Sequence, residues 1–396
     1  MSPTSECASF TADAAVLQGR KTEQAVRIRV ADDLIEAVEL IPAPAPNSAE
    51  PHVEGVLLPG LVDLQVNGAA GHSIDSATPD ELDQVAACVR RGGASGFLPT
   101  LITAPIEHLC AQLSKLADWI ESGPSPEGAT PLGIHLEGPF LELPGAHDPR
   151  HLLDPTPELL DALIAAARGH LRLVTLAPAR SGAPEATRRL VEQGVAVSIG
   201  HAASTRGLRE CVEHGASLAT HLFNAMSPLH HRKDSVACDA LSEERLACSL
   251  IVDGVHVKAD MLTLALLRLG AQRAILVSDS SAPAGMPDGA YELAGMTVIQ
   301  KDGVVRNEDS TLAGSALSMG EAAANLCRFV GAKRPAELRS PSELVAATAS
   351  TNPCRILGED GLGAIAPGKR ARFARLLHDE WEQAIQVAAL PTPTRS

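Results

Sequence analysis

Between residues 61 and 278, short apolar runs alternate with longer amphipathic segments. The runs are 61–66 (LVDLQV), 96–102 (GFLPTLI), 131–136 (PLGIHL), 171–177 (LRLVTLA), 195–199 (VAVSI), 216–220 (ASLAT), 247–252 (ACSLIV) and 273–278 (RAILVS). Each is short for a helix and apolar through most of its length, as a strand covered on both faces of a parallel sheet would be. Segments between them, such as 79–92 and 184–193, read as helices. Eight strand–helix units predict an α/β fold, a (β/α)8 TIM-like barrel, which takes about 250 residues.

The two ends read differently. AVLQG, AVRIRVA and IEAVELI, between residues 12 and 58, are β-prone runs separated by turns. Residues 42–51 (PAPAPNSAEP) form an exposed turn or short linker. After about residue 350 the stretch GLGAIAPGKRARFARLLHD returns to short β-like pieces. The expected division is a compact β domain from 1–57 together with 352–396, and a barrel from 58–351. No repeat of the solenoid kind is present.

Composition narrows the function classes. The chain has 396 residues, 45% hydrophobic and only 2% aromatic, so aliphatic side chains must fill the core and a base-stacking surface is not expected. A formal net charge of −15 argues against a nucleic-acid partner. A small phosphorylated ligand stays open, because one or two local cations can hold a phosphate. The eight cysteines are scattered and none forms C-x-x-C, which fits free thiols in a reducing cytosol. The N-terminal stretch MSPTSECASFTADAAVLQGR has no basic segment followed by an apolar core, and no apolar run reaches about 18 residues. A cytoplasmic protein with no membrane partner is therefore expected.

Candidate chemistry lies where strands end. PLGIHLE ends at Glu137, VAVSIGH at His201, ASLATH at His221 and RAILVSD at Asp279. In a parallel barrel all strand C-termini open on one face, where active sites sit. One carboxylate and two imidazoles make the ligand set of a catalytic metal site with room for water. Singly each residue is weak: an acid after a strand is often only a helix N-cap.

Longer strings sharpen this. PGLVDLQVNGAAG (59–71), GIHLEGPFLE (133–142), IGHAAST (199–205), ATHLFNAMSPLHHR (219–232), DGVHVKAD (253–260), LVSDSSAPAG (276–285) and STLAGSALSMGEA (310–322) occur in that order. From about residue 55 to 370 the chain resembles the N-acetylglucosamine-6-phosphate deacetylase family of the amidohydrolase superfamily, with THLFNAM and LEGPF together the most specific match. The resemblance implies a (β/α)8 barrel with a small β-sandwich built from both termini, and hydrolysis of the acetamide of N-acetyl-D-glucosamine 6-phosphate. It implies metal ligands Glu137, His201 and His221, the acid/base Asp279, and His147 polarising the acetyl carbonyl. Substrate contacts follow at Asn224, Ala225, Leu312, Ala313 and Gly314, with Arg232 and His256 on the 6-phosphate. In that family the arginine comes from the neighbouring subunit, so a homodimer is implied.

Many amidohydrolases carry His-x-His after the first barrel strand, where this chain has Gln65 and Asn67. A neutral amide is a poorer ligand for a borderline transition metal than an imidazole. One divalent ion per chain is expected, zinc first and Fe2+ or another divalent ion as alternatives, with Gln65 and Asn67 bonding around its water. The competing readings are a deacetylase of N-acetylgalactosamine 6-phosphate, another amidohydrolase, and a non-catalytic sugar-phosphate sensor on the same fold.

Overall fold

In a computed structural model the described residues are 8–44, 48–331, 340–379, 381 and 387–390. Cys7 and part of the expected 42–51 turn, residues 45–47, lie outside them.

All eight apolar runs form parallel strands of one sheet: Leu61–Val66, Ala94–Ile102, Ile134–Glu137, Leu171–Leu176, Ala196–Ile199, Leu218–Ala219, Ala247–Ile251 and Ala274–Val277, each paired with the next. The last strand returns toward the first through a parallel bridge between Ser280 and Val66, with Asn67 N donating to Ser280 O at 2.7 Å. The result is a nearly closed TIM-like barrel. Apolar residues face helices on the outside, while Gln65, Glu137 and His135 sit inside with almost no exposure. The helices begin where local chemistry directs. Pro79–Arg91 starts with Pro at its first position behind a reciprocal capping box between Thr78 and Glu81.

The termini build a separate sheet, ordered 387–389, 373–376, 52–59, 8–17, 25–31 and 34–41. Only the 8–17 with 52–59 pair is parallel. Phe10, Ile28, Leu57 and Phe373 share its apolar core, with Phe10 and Phe373 edge to face at 5.5 Å. Aromatic contact across the sequence thus ties the two ends together. The helix Asn352–Leu357 packs on the first and last barrel strands.

A third sheet was not anticipated from the sequence. Strands Gly289–Leu293, Met296–Lys301 and Val304–Asn307 follow the last barrel strand as an antiparallel meander. Two-residue turns at Ala294–Gly295 and Asp302–Gly303, all at positive φ, join them. Leu293, Val298 and Val305 pack on Ile102 and Ala313, which sets this small sheet over the C-terminal face of the barrel.

Close packing inside the barrel reaches the polar residues. A Cβ on Gly200 would lie 2.2 Å from Thr220 Cγ2 and 3.3 Å from Thr175 Cγ2. Gly200→Ala is expected to destabilise the fold by about 1–3 kcal/mol through overpacking. Urea unfolding measures it; a change below ~0.5 kcal/mol would mean that the two threonines can yield.

Candidate active site

Glu137, His201, His221 and Asp279, far apart in the chain, line one cavity of about 380 Å³ at the strand C-termini. Asn67, Gly145, Ala146, His147, Asn224, Ala225, His256, Leu312 and Gly314 line it too. Three of these strand-end residues have left-handed backbones, at φ +48° for His201, +27° for His221 and +50° for Asp279. Non-glycine residues adopt that region at a cost, which the surrounding bonds must offset.

Those bonds can be traced. His201 O accepts from Glu142 N and Leu143 N, and His201 Nδ1 donates to Leu143 O at 2.8 Å. The carbonyl fixes the proton on Nδ1 and leaves the Nε2 lone pair facing the cavity. Gly145 passes close above, where a Cβ would lie 3.1 Å from His201 Cε1. His221 N donates to Ser249 Oγ at 2.7 Å. Asp279 O accepts from Ser315 N at 2.7 Å, and Ser315 Oγ donates to Ser278 O. Beneath it Ser278 Oγ and Ser278 N both donate to buried Asp63. Burial pushes Asp63 up to about 7, against those bonds.

The centre is a triangle of donor atoms. His221 Nε2 is 3.0 Å and His201 Nε2 3.3 Å from Glu137 Oε1, and the two nitrogens are 3.1 Å apart. Ligands of a tetrahedral zinc at 2.0–2.1 Å are separated by about 3.3 Å. Three such atoms so close together need positive charge between them, supplied by a ring proton or by a metal ion. Burial alone would raise the Glu137 carboxyl, yet hydrogen bonds from the surrounding rings, His147 first, hold it well below the usual range, and a cation in place of the protons between these atoms would act in the same direction. The donor set therefore fits a divalent cation. His147 belongs to the same buried group: one ligand atom from each of Glu137, His147 and His201 lies within 4.8 Å of the others. Its Nε2 approaches the other carboxylate oxygen, Oε2, at 3.6 Å. The shorter triangle makes His201, His221 and Oε1 the tighter set.

His147 is set up differently. Thr103 N donates to its Nδ1 at 3.3 Å, and Thr103 Oγ1 lies 2.8 Å from the same atom. A backbone N–H can only donate, so Nδ1 is the acceptor and the proton sits on Nε2. Burial lowers the His147 pKa, so the ring is neutral.

The two amides bond to carboxylates. Gln65 Nε2 donates to Glu137 Oε2 at 3.0 Å, while Thr220 Oγ1 donates to Gln65 Oε1 at 3.1 Å. The carboxylate, which can only accept, sets the orientation of the amide, and the hydroxyl then satisfies and holds Gln65 Oε1. Asn67 Nδ2 donates to Asp279 Oδ1 at 2.8 Å and leaves Oδ1 of the amide without a partner. Burial first, then the charge of Glu137, pushes Asp279 up to about 6, partly countered by the bond from Asn67.

Other expected residues vary in placement. Asn224 spends its Nδ2 on His221 O and Leu222 O, which shapes the turn below Ala225. The Ala313 side chain points into the cluster under the small sheet, between cavity residues Leu312 and Gly314. His256 lines the cavity and bonds Asp253. Arg232 is exposed beside His230 and is not among the lining residues of this chain. Sequence reading missed Thr103, Thr220, Ile102, Ile251, Leu293 and Thr311. Thr220 stood inside the THLFNAM string, but nothing local signals its bond to Gln65.

The sequence profile of the Amidohydrolase family matches residues 56–386. The chain belongs to the amidohydrolase family. It is a hydrolase of that family, and its buried Glu-His-His cluster fits the divalent metal site. It is 37% identical to the N-acetylgalactosamine-6-phosphate deacetylase of Escherichia coli O157:H7, over 88% of this chain and 90% of that one. Identity to the N-acetylglucosamine-6-phosphate deacetylase of Bacillus subtilis (strain 168) is 35%, over 70% and 71%. In three dimensions it resembles a mutant N-acetyl-D-glucosamine-6-phosphate deacetylase from Mycobacterium smegmatis in complex with N-acetyl-D-glucosamine-6-phosphate. That TM-score is 0.86, at 31% identity and with 98% of each chain covered. Among the described residues no helix is long and apolar enough to cross a membrane.

Thr220→Val removes the hydroxyl that braces Gln65 Oε1 while keeping the side-chain shape. Affinity for the catalytic ion is expected to fall about tenfold or more, as for other residues that orient a ligand. Competition against a chelator of known affinity reads this directly, and unchanged affinity would sink the orienting role.

Proposed function

We propose that the protein hydrolyses the acetamide of N-acetyl-D-glucosamine 6-phosphate to D-glucosamine 6-phosphate and acetate, in amino-sugar catabolism. One observation carries this reading: the Glu137–His201–His221 triangle shares a cavity with Asp279 and with His147. Relatives named for two N-acetylhexosamine 6-phosphates support the substrate class. The Escherichia coli relative, matched over nine-tenths of its length, keeps N-acetylgalactosamine 6-phosphate as the second reading. The ligands we assign are Glu137, His201 and His221, for one ion per chain, zinc first and iron second. Such an ion lowers the pKa of a water toward ~7 and polarises the acyl oxygen.

The chain's own residues do the rest. Asp279, poised near 6 and held by Asn67, takes a proton from the attacking water. The neutral His147 ring presents Nε2–H to the oxygen that gains charge. Asp279 then returns its proton to the departing amine, and the C–N bond breaks. Asn224, Ala225, Leu312, Ala313 and Gly314 shape the sugar site. His256 and an Arg232 from a second subunit hold the phosphate, which makes the active form a homodimer. The seven described cysteines are free, in keeping with a reducing cytoplasm. This chemistry falls within the 58–351 barrel domain we propose, with 1–57 and 352–396 forming the other.

Acetate release from the gluco and galacto substrates, with and without chelator, tests the whole reading. Activity lost to chelator and restored by one zinc per chain is expected; two required ions would overturn the single-ion assignment. Asp279→Asn should lower kcat by ~10²–10⁴-fold and still bind substrate. A loss of only a few fold would remove Asp279 from the proton transfers.

The pH profile follows from the same roles. A base must be ionised, so activity falls as pH drops through the Asp279 pKa. Since a cation nearby also favours the carboxylate, the acid limb should lie at or below about pH 6. Asn67→Ala removes a bond that favours the carboxylate, so the limb should move up by about one unit. A downward move would contradict the assignment.

Arg232 can be tested by complementation. Asp279→Asn and Arg232→Ala proteins, each impaired, should regain activity when their subunits exchange. No recovery in a verified mixed dimer would mean that Arg232 serves its own site or none.

A further inference from the structure

The cavity poses an electrostatic problem. Among the described lining residues there is no lysine or arginine, and the chain as a whole is at −15. His147, His201 and His221 are committed around Glu137. His256 is the remaining imidazole of the lining, on the loop that follows the barrel strand Ala247–Ile251. Its side chain is only 6% exposed.

That loop is organised by Asp253. Asp253 Oδ1 accepts from Val255 N and His256 N, both at 2.8 Å. Asp253 Oδ2 accepts from His256 Nδ1 at 2.6 Å. One carboxylate therefore shapes the turn and grips the ring that the turn carries. The loop is anchored from behind by Asn325 Nδ2, which donates to Val252 O at 2.9 Å. Burial alone would raise the Asp253 carboxyl, but the bonds from His256 and the backbone outweigh it and hold it below its ordinary value. With Nδ1–H donated to Asp253, Nε2 is the ring nitrogen left for a ligand. A ring held between this carboxylate and a phosphate oxygen, both acceptors only, carries a hydrogen on each nitrogen in that complex.

We infer that Asp253 is a positioning residue for phosphate recognition, holding His256 by Nδ1 so that the opposite nitrogen, as Nε2–H, meets the 6-phosphate of the substrate. This rests on the proposed sugar-phosphate deacetylation. An asparagine at 253 could still accept the two backbone N–H groups through its oxygen. Its amide N–H would then face His256 Nδ1 and turn that atom into an acceptor. The ring would be left neutral, with a hydrogen on Nε2 and no charge behind it.

The test uses the full-length, metal-loaded enzyme with N-acetylhexosamine 6-phosphate and with unphosphorylated N-acetylhexosamine. For Asp253→Asn we expect KM for the phosphorylated sugar to rise about tenfold to a hundredfold, the worth of a charge-assisted bond. The change in kcat should stay within a few fold, and kcat/KM for the unphosphorylated sugar should barely move. Inhibition by inorganic phosphate should weaken in parallel. His256→Gln should raise KM for the phosphorylated sugar at least as much, and the double variant should be no worse than His256→Gln alone. An unchanged preference for the phosphorylated sugar, or losses that simply add in the double variant, would overturn the inference. If Asp253→Asn does not fold, Asp253→Ser keeps an acceptor for the turn without the charge, and the same outcomes apply. A wild-type enzyme that does not hydrolyse either phosphorylated sugar would instead defeat the proposed function. In that case phosphate binding to wild type and to Asp253→Asn, read by calorimetry, still decides whether Asp253 supports an anion site.

Discussion

Glu137 is a carboxylate with 2% of its surface exposed, at the end of a barrel strand. Leaving such an ion unpaired in the interior would cost several kcal/mol. The structure answers with one amide and three imidazoles, arriving from four other parts of the chain. Each brings further requirements. Gln65 must be held by Thr220, His201 by the Leu143 carbonyl, and His147 by Thr103. Much of the polar interior can be followed outward from this one buried charge. The same arrangement gives the site its capacity for chemistry, because a carboxylate that favours its ionised form beside two imidazole nitrogens calls for a cation.

The barrel supplies positions and the loops supply angles. A strand running straight on would carry His201, His221 and Asp279 past the cavity, whereas a left-handed residue at each strand end turns the chain sharply there. Such conformations persist only where surrounding structure over-determines them. Here backbone atoms of each are fixed by bonds from another segment: Glu142 and Leu143 on His201, Ser249 on His221, Ser315 on Asp279. The Asp63–Ser278 pair continues the scaffold below Asp279. A residue as buried as Asp63, with no place in the proposed reaction, is explained by that support.

Much of the fold was legible because parallel strands buried on both faces must be apolar, and this chain writes them as eight separated runs. Glu137, His201, His221 and Asp279 were legible for the converse reason: each interrupts an apolar pattern where a strand stops. The small sheet over 289–307 escaped because it alternates exposed and buried positions over only four to six residues. Its one local sign was Asp302–Gly303, a dipeptide suited to a tight hairpin. The bonds that orient the site were not legible at all. Thr103 meets His147 across 44 residues and Thr220 meets Gln65 across 155. A threonine that caps a turn and one that fixes a ligand look the same in a sequence.

The distribution of charge bears on what the cavity can hold. An acidic chain repels a phosphorylated sugar at long range, but screening limits that to about 8 Å at physiological ionic strength. Recognition then depends on a few positive groups at short range, inside a low-dielectric cavity where each counts for more. The described lining supplies none from lysine or arginine. What remains in the lining is the ion that Glu137 calls for and the imidazole gripped by Asp253, to which the proposed homodimer would add one cation from the second subunit. Arg232 is exposed and lies outside the lining of its own cavity, which is the placement that the proposed crossing between subunits requires. On this reasoning a net acidic chain and a phosphorylated ligand are compatible, because recognition rests on a few positive groups at short range and not on the net charge.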